Sequence, residues 1–380
     1  MIKSKLPDIG TTIFAIMSAE AQKHQAINLS QGFPDFDVSP ELIAGVEKAM
    51  RDGKNQYAPM PGLPILRERI SDMILDARDT KVDPETEITI TSGATEAIYC
   101  VIQALIHPGD EVILFDPAYD CYAPSIRLAG GVPVHIPLTY PDYRIPWGQV
   151  EEAITDLTAM IMVNNPHNPT GQVLDDNDWR EINRWVNERG IYLLSDEVYE
   201  HITYGANHRS ALVEVERRDR VICTYSFGKT FHVTGWKTGY AIAAQEVSTE
   251  IRKVHQYVTF SGFHPVQAAM AEYLSKPESY RGVSDLYRPK KELFYELMRE
   301  TVFDLIPTYG SYYALANYSS YSDMPDTEMA LWLTQEIGVA AIPISVFYKD
   351  KRDDKVLRFC FAKKDETLRN AVQKLREIKR

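Results

Sequence analysis

Six short apolar runs, separated by stretches of helical period, constrain this chain more than any other feature. They are Glu87-Ile-Thr-Ile-Thr91, Glu111-Val-Ile-Leu-Phe115, Val132-Pro-Val-His-Ile136, Ala159-Met-Ile-Met-Val163, Ile191-Tyr-Leu-Leu-Ser195 and Arg220 to Tyr225. Several are nearly continuous in apolar residues rather than alternating, as expected of parallel strands covered on both faces. Helical patterns lie between them, such as Thr95 to Ile106 and Asp178 to Arg189, the second followed by Gly190 in the place of a C-cap. This alternation predicts an α/β fold with a mostly parallel central sheet.

The texture changes near Lys276-Pro277. A long charged helix from about Tyr280 to Glu300, two strand-like pieces and a terminal helix from about Asp365 predict a smaller α+β domain. The chain has 380 residues, 44% of them apolar, and so exceeds the roughly 250–300 residues at which single cores stop growing. The expected division is a large domain over 41–280, a small domain over 281–380, and an N-terminal arm, 1–40, packed with the small domain.

The formal net charge of −12, with both signs interspersed, leaves no basic stripe for a phosphate backbone, so a small-molecule substrate is expected rather than nucleic acid. No run of 18 apolar residues suits a membrane span, and the first residues lack a signal-peptide core, which predicts a cytoplasmic protein. Cys100, Cys121, Cys223 and Cys360 are far apart and the nine histidines form no ligand motif, so neither a disulfide framework nor a bound metal is expected.

In open α/β sheets, ligands sit beyond the carboxyl ends of the strands, and four suggestive segments fall at such ends. Thr91-Ser-Gly93-Ala94-Thr95 passes from strand to helix, where free N–H groups and the positive dipole end suit a phosphate. An ordinary N-cap by Ser92 or Thr95 fits the same residues. Val163-Asn-Asn-Pro-His-Asn168-Pro-Thr-Gly171 is common turn vocabulary, yet a Pro-flanked amide at Asn168 could donate to a phenolate oxygen.

Leu193-Leu-Ser-Asp196-Glu-Val-Tyr199 puts a carboxylate just past a buried strand, where it needs a cationic partner. A protonated pyridine nitrogen is one; a helix N-cap or a structural ion pair also satisfies it. Tyr199, three residues on, could bond the ring oxygen. Ser226-Phe-Gly-Lys229-Thr-Phe-His-Val-Thr-Gly-Trp-Lys237-Thr-Gly239 pairs a candidate Schiff-base lysine with a downstream phosphate anchor. Its Gly228-Lys229-Thr230 imitates a P-loop ending, but Cys223 stands where that motif needs glycine. These segments point to pyridoxal phosphate.

With Asn28-Leu-Ser-Gln-Gly32, Asn55-Gln-Tyr57, Asp116-Pro-Ala-Tyr119 and Leu357-Arg358-Phe, they make the chain resemble the class I aminotransferases of the pyridoxal-phosphate fold-type I group. The resemblance spans nearly the whole length and lies nearest the kynurenine aminotransferase and glutamine transaminase K branch, with its methionine-preferring bacterial members. It implies Lys229 as the residue that bonds the cofactor aldehyde and carries the proton at the substrate Cα. It implies Ser226, Lys237 and the Gly93, Ala94 and Thr95 amides as phosphate ligands, Tyr119 stacked on the ring, and Asn168 and Tyr199 on its phenolic oxygen. Arg358, helped by Gly32 and Asn168, would fork the substrate α-carboxylate. Tyr57 would reach the phosphate of a second subunit in a homodimer.

Lys237 departs from the arginine of the wider class, and Ala94 from the tyrosine frequent in kynurenine aminotransferases. The segment Tyr257 to His264 holds no arginine for a distal carboxylate, and Phe14, Phe263 and Phe347 could line an apolar pocket. The expected reaction is ping-pong transfer of an amino group from methionine, glutamine, phenylalanine, tyrosine or kynurenine to a 2-oxo acid. A C–S lyase acting on cystathionine or cysteine conjugates is the enzyme alternative. A cofactor-binding regulator is the other; regulators of this family usually carry an additional DNA-binding domain, and none is expected here.

Overall fold

The computed structural model describes residues 2–205 and 207–378. Seven strands form the central sheet, in the spatial order 88–91, 239–243, 221–226, 192–196, 158–164, 111–116, 132–137. Six run in one direction, and Gly239–Ala243 lies antiparallel to both of its neighbours. That strand was not among the expected six. Its composition of glycine and alanine around one tyrosine and one isoleucine carries little strand propensity, and pairing on both edges compensates.

The near-continuous apolar runs are explained by burial on both faces. Val112 and Leu114 pack with Met160, Met162, Leu194 and Ile222 on one side of the sheet. Ile113 and Phe115 pack with Ile161, Val163, Leu193 and Val221 on the other. Successive side chains of a strand point to opposite faces, so a strand buried on both needs apolar residues at every position.

Helix ends follow local chemistry. Asp176–Arg189 opens with a capping box in which Asp175 and Asp178 satisfy each other's backbone, and closes on Gly190 at φ 66°. The helix expected over Tyr280 to Glu300 is instead two, Glu278–Arg281 and Val283–Met298, separated by Gly282. A second, antiparallel sheet joins Ile342–Pro343, Val356–Cys360, Tyr313–Asn317 and Asp304–Ile306 in that order. Ile27–Asn28 pairs in parallel with Val339–Ala340.

Strand order reverses where 111–116 lies between 132–137 and 158–164, the two strands that follow it in the chain. Asp116, Asn164, Asp196 and Ser226 end their strands on one side of the sheet, and Thr91 ends on the same side. A crevice at such a reversal is where ligands of open α/β sheets bind.

Candidate active site

Along that edge lies a cavity of about 320 Å³. One end of it is built around Gly239, which pairs with Thr91 on one side and Ser226 on the other. A Cβ on Gly239 would sit 2.4 Å from the Tyr225 carbonyl oxygen and 2.9 Å from Ala94 N, so only glycine lets these strands close together. The helix Ala94–Leu105 begins after Gly93, whose φ of 84° no side chain favours, and no side chain caps its first turn. The ordinary N-cap by Ser92 or Thr95 is therefore not what the fold contains. Lys237 Nζ stands 3.5 Å from where a Gly93 Cβ would be. Uncapped N–H groups, an ammonium and the Ser226 hydroxyl thus converge on one anion-sized space.

Glu96 ties this turn to its surroundings. Its carboxylate accepts from Ser92 N and pairs at 2.6 Å with His255 Nδ1, while His255 Nε2 donates to the Met60 carbonyl at 3.0 Å. Glu96, Cys100 and His255 have the spacing of a metal-ligand group, but each is already engaged within this hydrogen-bonded cluster.

At the middle of the cavity stands Asp196. Burial pushes its carboxyl up to about 6, against the opposing effect of Tyr122, which donates to Oδ2 at 2.6 Å. Asn164 holds the neighbouring backbone: its Nδ2 donates to the Asp196 carbonyl at 2.8 Å and its Oδ1 accepts from Asn168 N at 2.6 Å. Opposite lies Lys229, on the short helix Phe227–Thr230, with its amine donating to the Gly32 carbonyl at 3.3 Å. Desolvation brings that amine down to about 8, with Arg358 and Lys237 acting in the same direction. Among the described residues, no ion pair engages Asp196, Lys229 or Arg358.

The far wall is aromatic. Tyr199 Oη donates to Tyr313 Oη at 3.3 Å, and the Tyr313 ring lies under the Arg358 guanidinium, 3.9 Å from centroid to Cζ. Arg358 donates to Asn168 Oδ1 at 2.8 Å and to the Ser30 carbonyl at 3.0 Å, and its Nε has no partner.

Comparison with known proteins decides which chemistry this arrangement serves. The family model described as aminotransferase class I and II matches residues 24–375. The methionine aminotransferase of Escherichia coli strain K12 is 45% identical over 378 residues, covering 99% of this chain and 98% of the relative.

The chain is a class I/II aminotransferase.

Further relatives of the aminotransferase agree with that placement. A kynurenine–oxoglutarate transaminase of Dictyostelium discoideum is 31% identical across 98% of this chain and 95% of its own length. A crystal structure of an Escherichia coli protein with a methionine aminotransferase function superposes with a TM-score of 0.97 at 45% identity, covering 100% of both chains. Enzymes of this family are pyridoxal-phosphate-dependent transaminases of fold type I.

In this aminotransferase the cavity is lined by most of the residues singled out in the sequence. Gly93, Ala94, Thr95, Ser226 and Lys237 form one end; Tyr119, Asp196 and Lys229 the middle; Asn168, Tyr199, Gly32 and Phe14 the other end. Four candidates lie elsewhere. Arg358 is fully buried behind Asn168 and Tyr313 rather than on the cavity surface. Phe347 packs against Phe14, ring centroids 5.7 Å apart, and lies behind it. Tyr57 is 82% exposed and meets Phe260 edge-on, outside the cavity of its own chain, and Phe263 is exposed on the surface as well.

Tyr122, Tyr313 and Gln31 also line the aminotransferase cavity, without a role expected from sequence. Tyr122 lies 74 residues from the aspartate it serves, a pairing that only the sheet creates. Asn164 ends strand 158–164: its contact with Asn168 N is local, but its contact with the Asp196 carbonyl needs the register between that strand and 192–196. Among the described residues, no helix is long and apolar enough to cross a membrane.

Proposed function

We propose that this aminotransferase holds pyridoxal 5'-phosphate in the cavity and transfers the amino group of methionine, and of other neutral or aromatic amino acids, to a 2-oxo acid. The observation that carries it is a buried carboxylate, Asp196, and an enclosed lysine of lowered basicity, Lys229, facing one cavity with no ion-pair partner among the described residues. Each matches one part of the cofactor. The uncapped helix start with Lys237 and Ser226 suits the phosphate, Asp196 the protonated pyridine nitrogen, Tyr119 a ring face, and Asn168 with Tyr199 the phenolic oxygen.

Bound there, the cofactor supplies an aldehyde for the amino group and a ring that accepts the electrons of the breaking Cα–H bond. Lys229 would hold the aldehyde until substrate arrives. Its amine, which burial brings down to about 8 in the cofactor-free protein, would then take the proton from the substrate Cα and deliver it on the other side of the transfer. Arg358 lies behind the cavity wall without a carboxylate partner among the described residues, and its guanidinium would meet the substrate α-carboxylate past Asn168 and Phe14, the lining residues in front of it. Gly32 and Asn168 bound that position.

Side-chain preference follows from what is left. Among the described lining residues the cations are Lys229 and Lys237, both already assigned, so a second substrate carboxylate has no partner. Phe14, backed by Phe347, offers apolar surface to a thioether or an aromatic ring. The exposed Tyr57, met edge-on by Phe260, faces a second copy of the chain in a homodimer. The test is a half-reaction. Loaded protein is mixed with methionine and no acceptor; release of one equivalent of 2-oxo acid, lost in Lys229→Ala, is expected. Release of pyruvate and thiol from cystathionine, with methionine untouched, would overturn the assignment.

A further inference from the structure

We propose that Tyr313 is a positioning residue for both halves of this site: its hydroxyl orients that of Tyr199, and its ring fixes the plane of the Arg358 guanidinium. The inference rests on the reading of the cavity given above. Tyr313 opens the strand Tyr313–Asn317, opposite Cys360 in the antiparallel pair with Val356–Cys360. Arg358, two residues before Cys360, is its diagonal neighbour on the same face, the geometry in which long and aromatic side chains touch. The ring stands 3.9 Å from the guanidinium carbon, and Phe14 and Phe347 lie at 5.3 and 5.9 Å. Of the three, Tyr313 alone is in close stacking distance.

The hydroxyl is placed as tightly. A Cβ at Gly32 would sit 1.8 Å from Tyr313 Oη, so glycine at 32 is what makes room for it. That oxygen is 3.3 Å from Tyr199 Oη, and the two rings meet edge to face with centroids 5.9 Å apart. Tyr199 donates to Tyr313 as the chain stands. An anionic oxygen in the cavity is a stronger acceptor and takes the Tyr199 proton in a charge-assisted bond. The Tyr313 hydroxyl, free to rotate, then donates to Tyr199 Oη. Hydrogen bonds in such a chain polarise one another, each strengthened by roughly 10–30%, so Tyr199 becomes the better donor.

Two substitutions separate the parts. Tyr313→Phe removes the hydroxyl and keeps the ring; Tyr313→Leu removes both. The first readout is the pH midpoint at which the visible absorbance of the cofactor-loaded protein changes. Donation to the ring oxygen favours its anionic form, so weaker donation raises that midpoint. The titratable groups facing the Tyr199–Tyr313 pair are Lys229, Arg358, Cys360, Tyr119 and Tyr312, and neither substitution removes any of them. The second readout is binding of 3-phenylpropionate, a carboxylate without an amino group, by its effect on the same absorbance.

Tyr313→Phe is expected to raise the midpoint by about half a pH unit and to leave 3-phenylpropionate binding within about twofold. Tyr313→Leu is expected to weaken that binding by about tenfold as well, because the guanidinium loses its stacking partner. An unmoved midpoint in Tyr313→Phe overturns the role of the hydroxyl, and unchanged binding in Tyr313→Leu overturns that of the ring. A wild-type protein that takes up no pyridoxal phosphate overturns the underlying reading and this inference together, an outcome distinct from either.

Discussion

Replacing Asp196 with asparagine tests the site without any turnover. In the cofactor-free protein, burial raises this carboxyl from 3.8 to about 6. A difference of about two pH units, at about 1.4 kcal/mol each, means that ionised Asp196 opposes folding by about 3 kcal/mol. The native state holds this proton more tightly than the unfolded chain. The penalty is therefore absent below about pH 4, grows as the pH rises to about 6, and is constant above it.

Asparagine keeps the shape and carries no charge. Urea unfolding of cofactor-stripped wild type and Asp196→Asn between pH 4 and 8 should show the variant gaining on the wild type by about 3 kcal/mol up to about pH 6 and then running parallel to it. Addition of saturating pyridoxal phosphate should close that gap, since a pyridinium nitrogen supplies the missing cation. The same energy appears as a cofactor Kd about a hundredfold higher in the variant. A pH-independent stability difference, or equal affinities, would refute the claim that Asp196 is an unpaired carboxylate awaiting a cation.

Other substitutions probe the remaining parts. Gly93→Ala forces a residue with a side chain into a positive φ beside Lys237, so cofactor affinity should fall about tenfold, from about 1–2 kcal/mol of backbone strain; unchanged affinity on titration would show that the turn relaxes freely. Arg358→Lys keeps the charge but not the planar fork, so kcat/KM should drop at least tenfold for every amino donor alike, and a donor-specific loss in the kinetic panel would move Arg358 to the side-chain pocket. Tyr57→Ala changes an exposed residue, so monomer stability should hold within about 0.5 kcal/mol while cofactor affinity falls; affinity equal to wild type would remove it from the neighbouring site.

The sequence alone determined six of the seven strands of the large sheet and the candidate residues at its edge. Runs such as Val112 to Phe115 are apolar at every position because both faces of the sheet are covered, and that requirement is written in consecutive residues. Gly93, Asn168, Asp196 and Lys229 were legible as candidates because each lies at a strand end or within a few residues past one, so their position along the chain nearly fixes their position in space. What only the tertiary structure decided is everything that joins distant segments.

Tyr122 on Asp196, Tyr313 between Tyr199 and Arg358, and Arg358 behind the cavity wall rather than on it all depend on strand register and on how the two sheets meet. No local pattern encodes such pairings, because a hydroxyl or a guanidinium acquires its role from the group that packing sets beside it. The strand Gly239–Ala243 shows the same division. Its residues have weak intrinsic preference, and two flanking partners make it a strand, with Gly239 pairing Thr91 on one side and Ser226 on the other.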